Sequence, residues 1–221
     1  MKFARAIISL MKWINRQNSV DLYIYPETTH VFELVKKIRM ETEIQMSTGE
    51  AVQVFFAAKS ANKIQGDFAE VGVFQGGTAK LICEAKGDRP LHLFDTFEGL
   101  PSPTEHDDTV FHRGMFAGAL EQVKETLADY PNLNFYKGLF PATAKTLEKN
   151  KFAFAHLDVD LYESTYACLK FFHPRMTKGG VILVHDYNFS AGVKKAVDIF
   201  LHDEPETVLP LAETQCVIIK V

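Results

Sequence analysis

Cysteine is scarce in this 221-residue chain: Cys83, Cys168 and Cys216 make an odd number, and no Cys-x-x-Cys pair occurs. That excludes a disulfide framework and a cysteine-built zinc site, and a reducing, cytoplasmic setting is the simplest reading. Each thiol sits in an apolar stretch, where a buried structural role is expected. Positive charge is also in short supply. Lysine and arginine number 24 against 28 aspartates and glutamates, a formal net charge of −4. No basic surface is left over to hold nucleic acid or an anionic membrane, so neither is expected as a partner. Nor does any run approach the ~20 apolar residues that span a bilayer. The segment 1–14 comes nearest, but Arg5 and Lys12 interrupt it and no small-residue cleavage site follows. It reads as an amphipathic helix packed on the domain or on a second subunit.

What is present suits one globular domain with a substantial core: 47% of residues are hydrophobic and 24% charged. No internal repeat or low-complexity tract is visible. Residues 1–45 read as helices with an irregular join at Tyr25-Pro26, an N-terminal segment acting as a lid or a homodimer contact. Residues 46–221 read as the main domain. Ser47 or Thr48 is placed to cap a helix from Gly49 to about Asn62.

From residue 67 the pattern alternates. Strands are expected at 68–71, 91–94, 133–136, 151–157 and 180–184, the last entered through a turn at Lys178-Gly-Gly180. Helices are expected at 77–85, 119–130, 164–172 and 191–201. Two closing strands, 208–211 and 216–220, follow without a helix between them. Repeated βα units imply an α/β, doubly wound parallel sheet with helices on both faces. The closing hairpin makes one strand antiparallel, for seven strands in all.

In such a sheet ligands lie beyond the carboxyl ends of the strands. The first strand ends in Glu70-Val-Gly72-Val-Phe-Gln-Gly76-Gly77-Thr78, where glycines permit a sharp turn and close backbone approach. The second strand ends in Asp95, 19 residues after Gly76, where a carboxylate can accept from both hydroxyls of an adenosine ribose. The bland alternative is a tight turn and a loop cap. Taken together the two features favour a nucleoside cofactor. The third glycine of a dinucleotide fingerprint is missing, and Glu70 would repel a pyrophosphate yet tolerate a cationic sulfonium. S-adenosylmethionine is therefore preferred to NAD. A competing pattern, Tyr166-Ala-Cys-Leu-Lys170, matches the Tyr-x-x-x-Lys pair of short-chain oxidoreductases and keeps an NAD-dependent alternative in view.

Three further stretches carry a resemblance. Phe140-Pro-Ala-Thr143, His156-Leu-Asp-Val-Asp-Leu-Tyr-Glu-Ser-Thr165 and Gly179-Gly-Val-Ile-Leu-Val-His-Asp-Tyr187 resemble the macrocin O-methyltransferase family, class I enzymes that methylate sugar hydroxyls. The likeness runs from about residue 46 to 201. A looser similarity to catechol and caffeoyl-CoA O-methyltransferases rests on Met46-Ser-Thr-Gly-Glu50. These resemblances imply that Met46 and Ser47 contact the methionine part of the cofactor. They imply that Glu70, Gly72 and Gly76 line its amino-acid end and that Asp95 binds the ribose. The neighbouring Val73, Phe74, Thr78, Thr96 and Asp158 complete the expected cofactor contacts. They also imply a magnesium ion held by Asp158 and by an acidic pair after the fifth strand. Here that pair reads His185-Asp186, where the family pattern is Asp-Asp-Tyr, and Ala142 stands where the family often has Asp. An imidazole replaces a charged, hard donor, so the site is weaker for magnesium, prefers a transition metal, or holds none.

The reaction expected is methyl transfer to a hydroxyl of a small molecule, a sugar or glycosylated natural product. Its proton must be removed, by metal activation or by a base. In the metal version Asp158, His185 and Asp186 hold the ion; in the metal-free version His185 takes the proton while Asp158 or Asp186 orients its ring. A purely structural histidine at 185 is the bland reading, and Asp160 and Glu163 are assigned to the turn and the following helix cap. The long loop 97–118, with Glu105, His106, Asp107, Asp108, His112 and Arg113, is either a lid or a solvated polar loop. Tyr23, Tyr25 and His30 are candidates for the acceptor pocket or a dimer contact. A non-catalytic protein that binds the cofactor remains the second alternative.

Overall fold

A computed structural model describes residues 26–221; the expectations for 1–25, including Tyr23 and Tyr25, lie outside the described residues. Helix α1 (Pro26–Glu41) and helix α2 (Thr48–Ala61) precede the alternating part. Ser47 caps α2 in a reciprocal capping box: its hydroxyl accepts from the Glu50 amide, and the Glu50 carboxylate accepts from the Ser47 amide. The chain then alternates through β1 (Asp67–Val71), α3 (Gly77–Lys86), β2 (Leu91–Asp95), α4 (Leu120–Thr126) and β3 (Leu133–Lys137). It continues with β4 (Phe152–Leu157), α5 (Tyr162–Phe172), β5 (Met176–Val184), α6 (Ala191–Leu201), β6 (Val208–Pro210) and β7 (Cys216–Ile219).

The seven strands form one sheet in the order β3-β2-β1-β4-β5-β7-β6. All neighbouring pairs from β3 to β5 are parallel, and β7 runs antiparallel to both β5 and β6. The α/β, doubly wound class read from the sequence is thus the observed one, with β7 as its single reversed strand. Every residue of the central strand β4, Phe-Ala-Phe-Ala-His-Leu, is buried, as a strand covered by helices on both faces requires. At the edge, β3 keeps no residue fully buried.

Two apolar cores flank the sheet. One joins α1, α2 and α3 to Phe68, Leu91, Phe154 and Leu183. The other joins α5 and α6 to Phe94, Phe152, Leu157 and Val184. In the second, Phe94 stacks on Tyr136 at 4.5 Å and Phe140 stacks on Phe172 at 5.4 Å between ring centroids.

Two elements differ from the sequence expectation. Strand β5 begins at Met176, not after Lys178-Gly-Gly180, because Gly179 takes a left-handed φ of 82° and its amide donates to Lys220 O at 2.7 Å. The glycines therefore make an irregularity inside the strand, where its register against β4 shifts. Helix α4 ends at Thr126 and continues only as turns to Tyr130, where Pro131 disfavours helical geometry in the residue before it.

Candidate active site

The carboxyl ends of β1, β2, β4 and β5 open into one cleft of about 260 Å³. Gly72 follows β1 with φ 91°, and a Cβ there would fall 1.7 Å from the carbonyl oxygen of Asp158. The glycine is dictated first by this crossing of two backbones, which fixes where Asp158 begins. The loop that follows curls around Asp95. One carboxylate oxygen accepts from the Val73 and Phe74 amides at 2.7 and 2.8 Å, and the other from the Phe97 amide at 2.6 Å. Asp95 thereby braces the glycine loop while still lining the cleft.

At the ends of β4 and β5, Asp158, His185 and Asp186 converge. His185 Nδ1 lies 3.3 Å from Asp158 Oδ1 and 3.2 Å from Asp186 Oδ1, yet this buried nitrogen makes no well-aligned hydrogen bond. Its other face meets α2, with Nε2 3.7 Å from Glu50 Oε2 and 3.4 Å from Thr214 Oγ1. Asp160 and Asp186 both hold left-handed φ values, 59° and 62°, a strained arrangement concentrated at this centre.

The charges are mutually dependent. Burial favours neutral His185, but Asp158, Asp186 and Glu50 outweigh it and hold the imidazole protonated well above the usual histidine range. Burial likewise opposes ionised Asp158, and the His185 charge overcomes it and lowers the pKa. Glu50 is lowered too, because contacts from His185, Thr214 and Ser47 outweigh its burial. Asp160 goes the other way: burial, then repulsion from Asp158 and Asp186, raise it far above the carboxylate range.

The donor set fits a divalent cation. Two carboxylate oxygens and a ring nitrogen lacking a hydrogen bond face one another, and the mixed nitrogen and oxygen ligands suit a transition metal at least as well as magnesium. A second convergence among the described residues, His173, Glu204 and Glu206, differs. There the Lys220 ammonium is 2.6 Å from Glu206 Oε1 and already supplies the positive charge.

The cleft walls are apolar. Leu100, Phe111, Phe116, Leu139, Phe140 and Phe189 contribute, and Leu139 and Phe189 remain more than half exposed at its mouth. Several come from the loop 97–118, whose neck is closed by Leu100 and Met115 and by Gly114 and Leu100. Its tip is polar and largely exposed, yet it is fastened. Asp107 Oδ1 accepts from the Tyr162 amide at 2.6 Å and Asp108 Oδ2 from the Ala191 amide at 2.8 Å, so the tip is fastened to the N-termini of α5 and α6. His106 packs edge-on against Tyr162 and contacts Lys195.

Of the expected site residues, Gly72, Phe74, Asp95, Thr96, Asp158, His185 and Asp186 line the cleft together. Met46, Ser47, Glu70, Val73, Gly76 and Thr78 do not line it. Met46 packs against the core and Ser47 caps α2. Val73 is itself a core residue. Gly76, with φ 84°, is the N-cap of α3, and Thr78 is buried in that helix. Glu70 is fully buried against His156, with its Oε1 3.0 Å from Nδ1, and burial raises its pKa to about 7. Tyr166 and Lys170 lie on α5 with the lysine over the tyrosine ring, outside the cleft. Sequence reasoning missed Gln45, Ser164, Thr214 and the aromatic walls, and it read Asp160 as a turn residue and Cys168 as a core thiol, whereas both line the cleft. It noted Glu50 only as the acidic residue after Met46-Ser47. The one available signal for Asp160 was its place in the Asp-Val-Asp repeat.

Residues 41–216 match the Macrocin-O-methyltransferase (TylF) family. The chain belongs to that family. S-adenosylmethionine is the expected cofactor of this methyltransferase family. Among curated relatives, 8-demethyl-8-(2,3-dimethoxy-alpha-L-rhamnosyl)-tetracenomycin-C 4'-O-methyltransferase of Streptomyces olivaceus is 33% identical over 147 residues, 59% of this chain and 56% of its own. Demethyldecarbamoylnovobiocin O-methyltransferase of Streptomyces niveus is 31% identical over 153 residues, 62% of this chain and 58% of its own. The matched stretches thus span less than two thirds of either relative. The solved O-methyltransferase NovP superposes with a TM-score of 0.70 at 24% identity, covering 80% of this chain and 82% of NovP. That likeness speaks for the fold of the family.

Proposed function

We propose that this chain is an S-adenosylmethionine-dependent O-methyltransferase acting on a hydroxyl of a small molecule, a sugar or glycosylated natural product. The observation that carries the reading is the convergence of Asp158, His185 and Asp186 on the same cleft as the glycine loop and Asp95. The 1–45 segment, the Mg2+ site, the homodimer and the cytoplasmic setting belong to the same reading. No helix among the described residues is long and apolar enough to cross a membrane.

Methyl transfer breaks the carbon–sulfur bond of the sulfonium and forms a carbon–oxygen bond to the acceptor. The sulfur leaves neutral, so the chain must align the acceptor oxygen and take its proton. Asp95, Asp158 and Asp186 line the cleft beside a protonated Asp160, a lining that suits a cationic cofactor and disfavours a pyrophosphate. Asp158 faces His185 through Oδ1, leaving Oδ2 to receive the acceptor proton. His185, ringed by Asp158, Asp186 and Glu50, carries its proton at neutral pH and serves to hold Asp158 ionised and oriented rather than to act as the base. A divalent ion held by Asp158, His185 Nδ1 and Asp186 would displace the proton from that nitrogen and would lower the pKa of the acceptor hydroxyl. The walls formed by Phe111, Phe140 and the rim residues Leu139 and Phe189 offer an apolar seat beside the reacting hydroxyl.

Calorimetric titration with S-adenosylmethionine and with NAD tests the cofactor, repeated after chelation and after restoring magnesium or manganese. Micromolar binding of S-adenosylmethionine alone is expected. Binding of NAD in its place would overturn the reading. Asp158→Asn is expected to reduce methyl transfer at least ~10²-fold with the fold intact; wild-type turnover in that variant would remove Asp158 as the proton acceptor.

A further inference from the structure

Three segments far apart in sequence meet behind His185. The first is the N-terminus of α2, where Glu50 is 4% exposed. Its Oε2 accepts from the Ser47 amide at 2.9 Å. The second is the turn between β6 and β7, where Glu213 takes a left-handed φ of 67° and presents Thr214. Glu50 Oε1 accepts from the Thr214 amide at 3.0 Å and from the Thr214 hydroxyl. The third is the loop after β5, where the Asn188 amide donates to Thr214 O at 2.8 Å and the Asn188 side chain donates to Glu213 O at 3.0 Å.

Hydrogen counting settles the direction of this chain of contacts. A hydroxyl has one hydrogen, and an ionised carboxylate only accepts. The Thr214 hydrogen is committed to Glu50 Oε1, so Thr214 offers His185 only a lone pair. Glu50 Oε2, on the same side, offers only a lone pair as well. Among the described residues, the two polar atoms that face His185 Nε2, Thr214 Oγ1 and Glu50 Oε2, are therefore both acceptors.

We propose that Glu50, acting through Thr214, is the positioning residue that keeps a proton on His185 Nε2 and dedicates Nδ1 to Asp158 and Asp186. This assigns a task to the buried Glu50 carboxylate beyond its cap. It also makes the ring orientation at the centre depend on the docking of α2 against the β6–β7 turn. The inference rests on the proposed function only in linking that centre to methyl transfer.

The test uses the full-length, ¹⁵N-labelled protein without ligands. Gln at the third helical position still completes a capping box, so Glu50→Gln leaves the start of α2 intact, and Thr214→Val and Thr214→Ser bracket the hydroxyl. The two ring-nitrogen resonances of His185 report which nitrogen bears the proton. The wild type is expected to show a protected Nε2–H. Thr214→Ser should keep it, and Glu50→Gln and Thr214→Val should shift both resonances and expose the proton to exchange. In turnover, kcat is expected to fall roughly tenfold to a hundredfold in those two variants, with KM for the cofactor little changed. Identical His185 resonances in wild type, Glu50→Gln and Thr214→Val would overturn the inference, whatever happens to kcat. If the resonances move as expected in a protein that transfers no methyl group, the positioning stands and the functional reading fails.

Discussion

Removing the carboxylates that fasten the tip of the loop 97–118 should open the cleft by a calculable amount. No side chain of its own caps α5, and Asp107 supplies the missing acceptor from 55 residues away in sequence. Losing an N-cap acceptor costs about 1 kcal/mol, and losing the negative charge beside a helix N-terminus costs roughly 0.3–1 kcal/mol more. Asp108 does the same work at Ala191, where Ser190 already serves the Val193 amide. Each fastening is thus worth roughly 1–2 kcal/mol, and every 1.4 kcal/mol is about tenfold in an equilibrium. Asp107→Ala should raise the open population of the loop about tenfold, and Asp107→Asn, which keeps an acceptor oxygen, by roughly two- to fivefold. Hydrogen exchange read by mass spectrometry over residues 100–115 measures that population directly. A control acts from the opposite side. A Cβ on Gly192 would lie 2.5 Å from Asp107 Oδ1 and 3.1 Å from the His106 carbonyl oxygen. Gly192→Ala should therefore loosen the same peptide although alanine is the better helix former by about 1 kcal/mol. If exchange in this loop is unchanged in Asp107→Ala, Asp108→Ala and Gly192→Ala alike, the fastening argument is wrong.

Other expectations concern the scaffold. Phe172 is fully buried between Phe94, Phe140 and Phe152, so Phe172→Ala should cost about 3–5 kcal/mol in chemical denaturation. Lys86 is buried with its ammonium donating to the carbonyls of Gly87, Arg89 and Pro131. Lys86→Met leaves those acceptors unserved and should destabilise by roughly 1–3 kcal/mol in the same assay. Burial opposes ionised Glu206, yet its contacts with Lys220 and His173 bring its pKa down to about 2 from 4.5. Because the folded value is the lower one, that stabilisation is complete above pH 4.5 and disappears as pH falls toward 2. Denaturation midpoints of Glu206→Gln should be flatter than wild type across this window; parallel curves would refute the assignment.

Much of the centre was legible because parallel sheets put ligands at strand carboxyl ends. Locating the ends of the first two strands was enough to find Gly72 and Asp95, whereas Asp158 and His185-Asp186 were found through the family resemblance of the stretches that contain them. The rest depended on contacts that no local pattern encodes. Glu50 meets Thr214 across 164 residues of sequence. The glycine loop curls so tightly that Asp95 spends both oxygens on backbone amides. Asp107 reads as a solvated loop residue until α5 is seen to lack a cap of its own. In β5, the Lys-Gly-Gly run signals a turn locally, whereas pairing with Lys220 keeps the strand going.

The sheet order carries a consequence for assembly. Strand β6 is synthesised before β7, yet among the described residues its only neighbour in the sheet is β7. Until β7 exists, β6 has nothing to pair with and the outer edge of β5, with Val181 to Val184, stays open. An open edge of that apolar character is an invitation to another nascent chain. The reversed strand β7 is therefore the piece that closes this edge and gives β6 its place in the sheet.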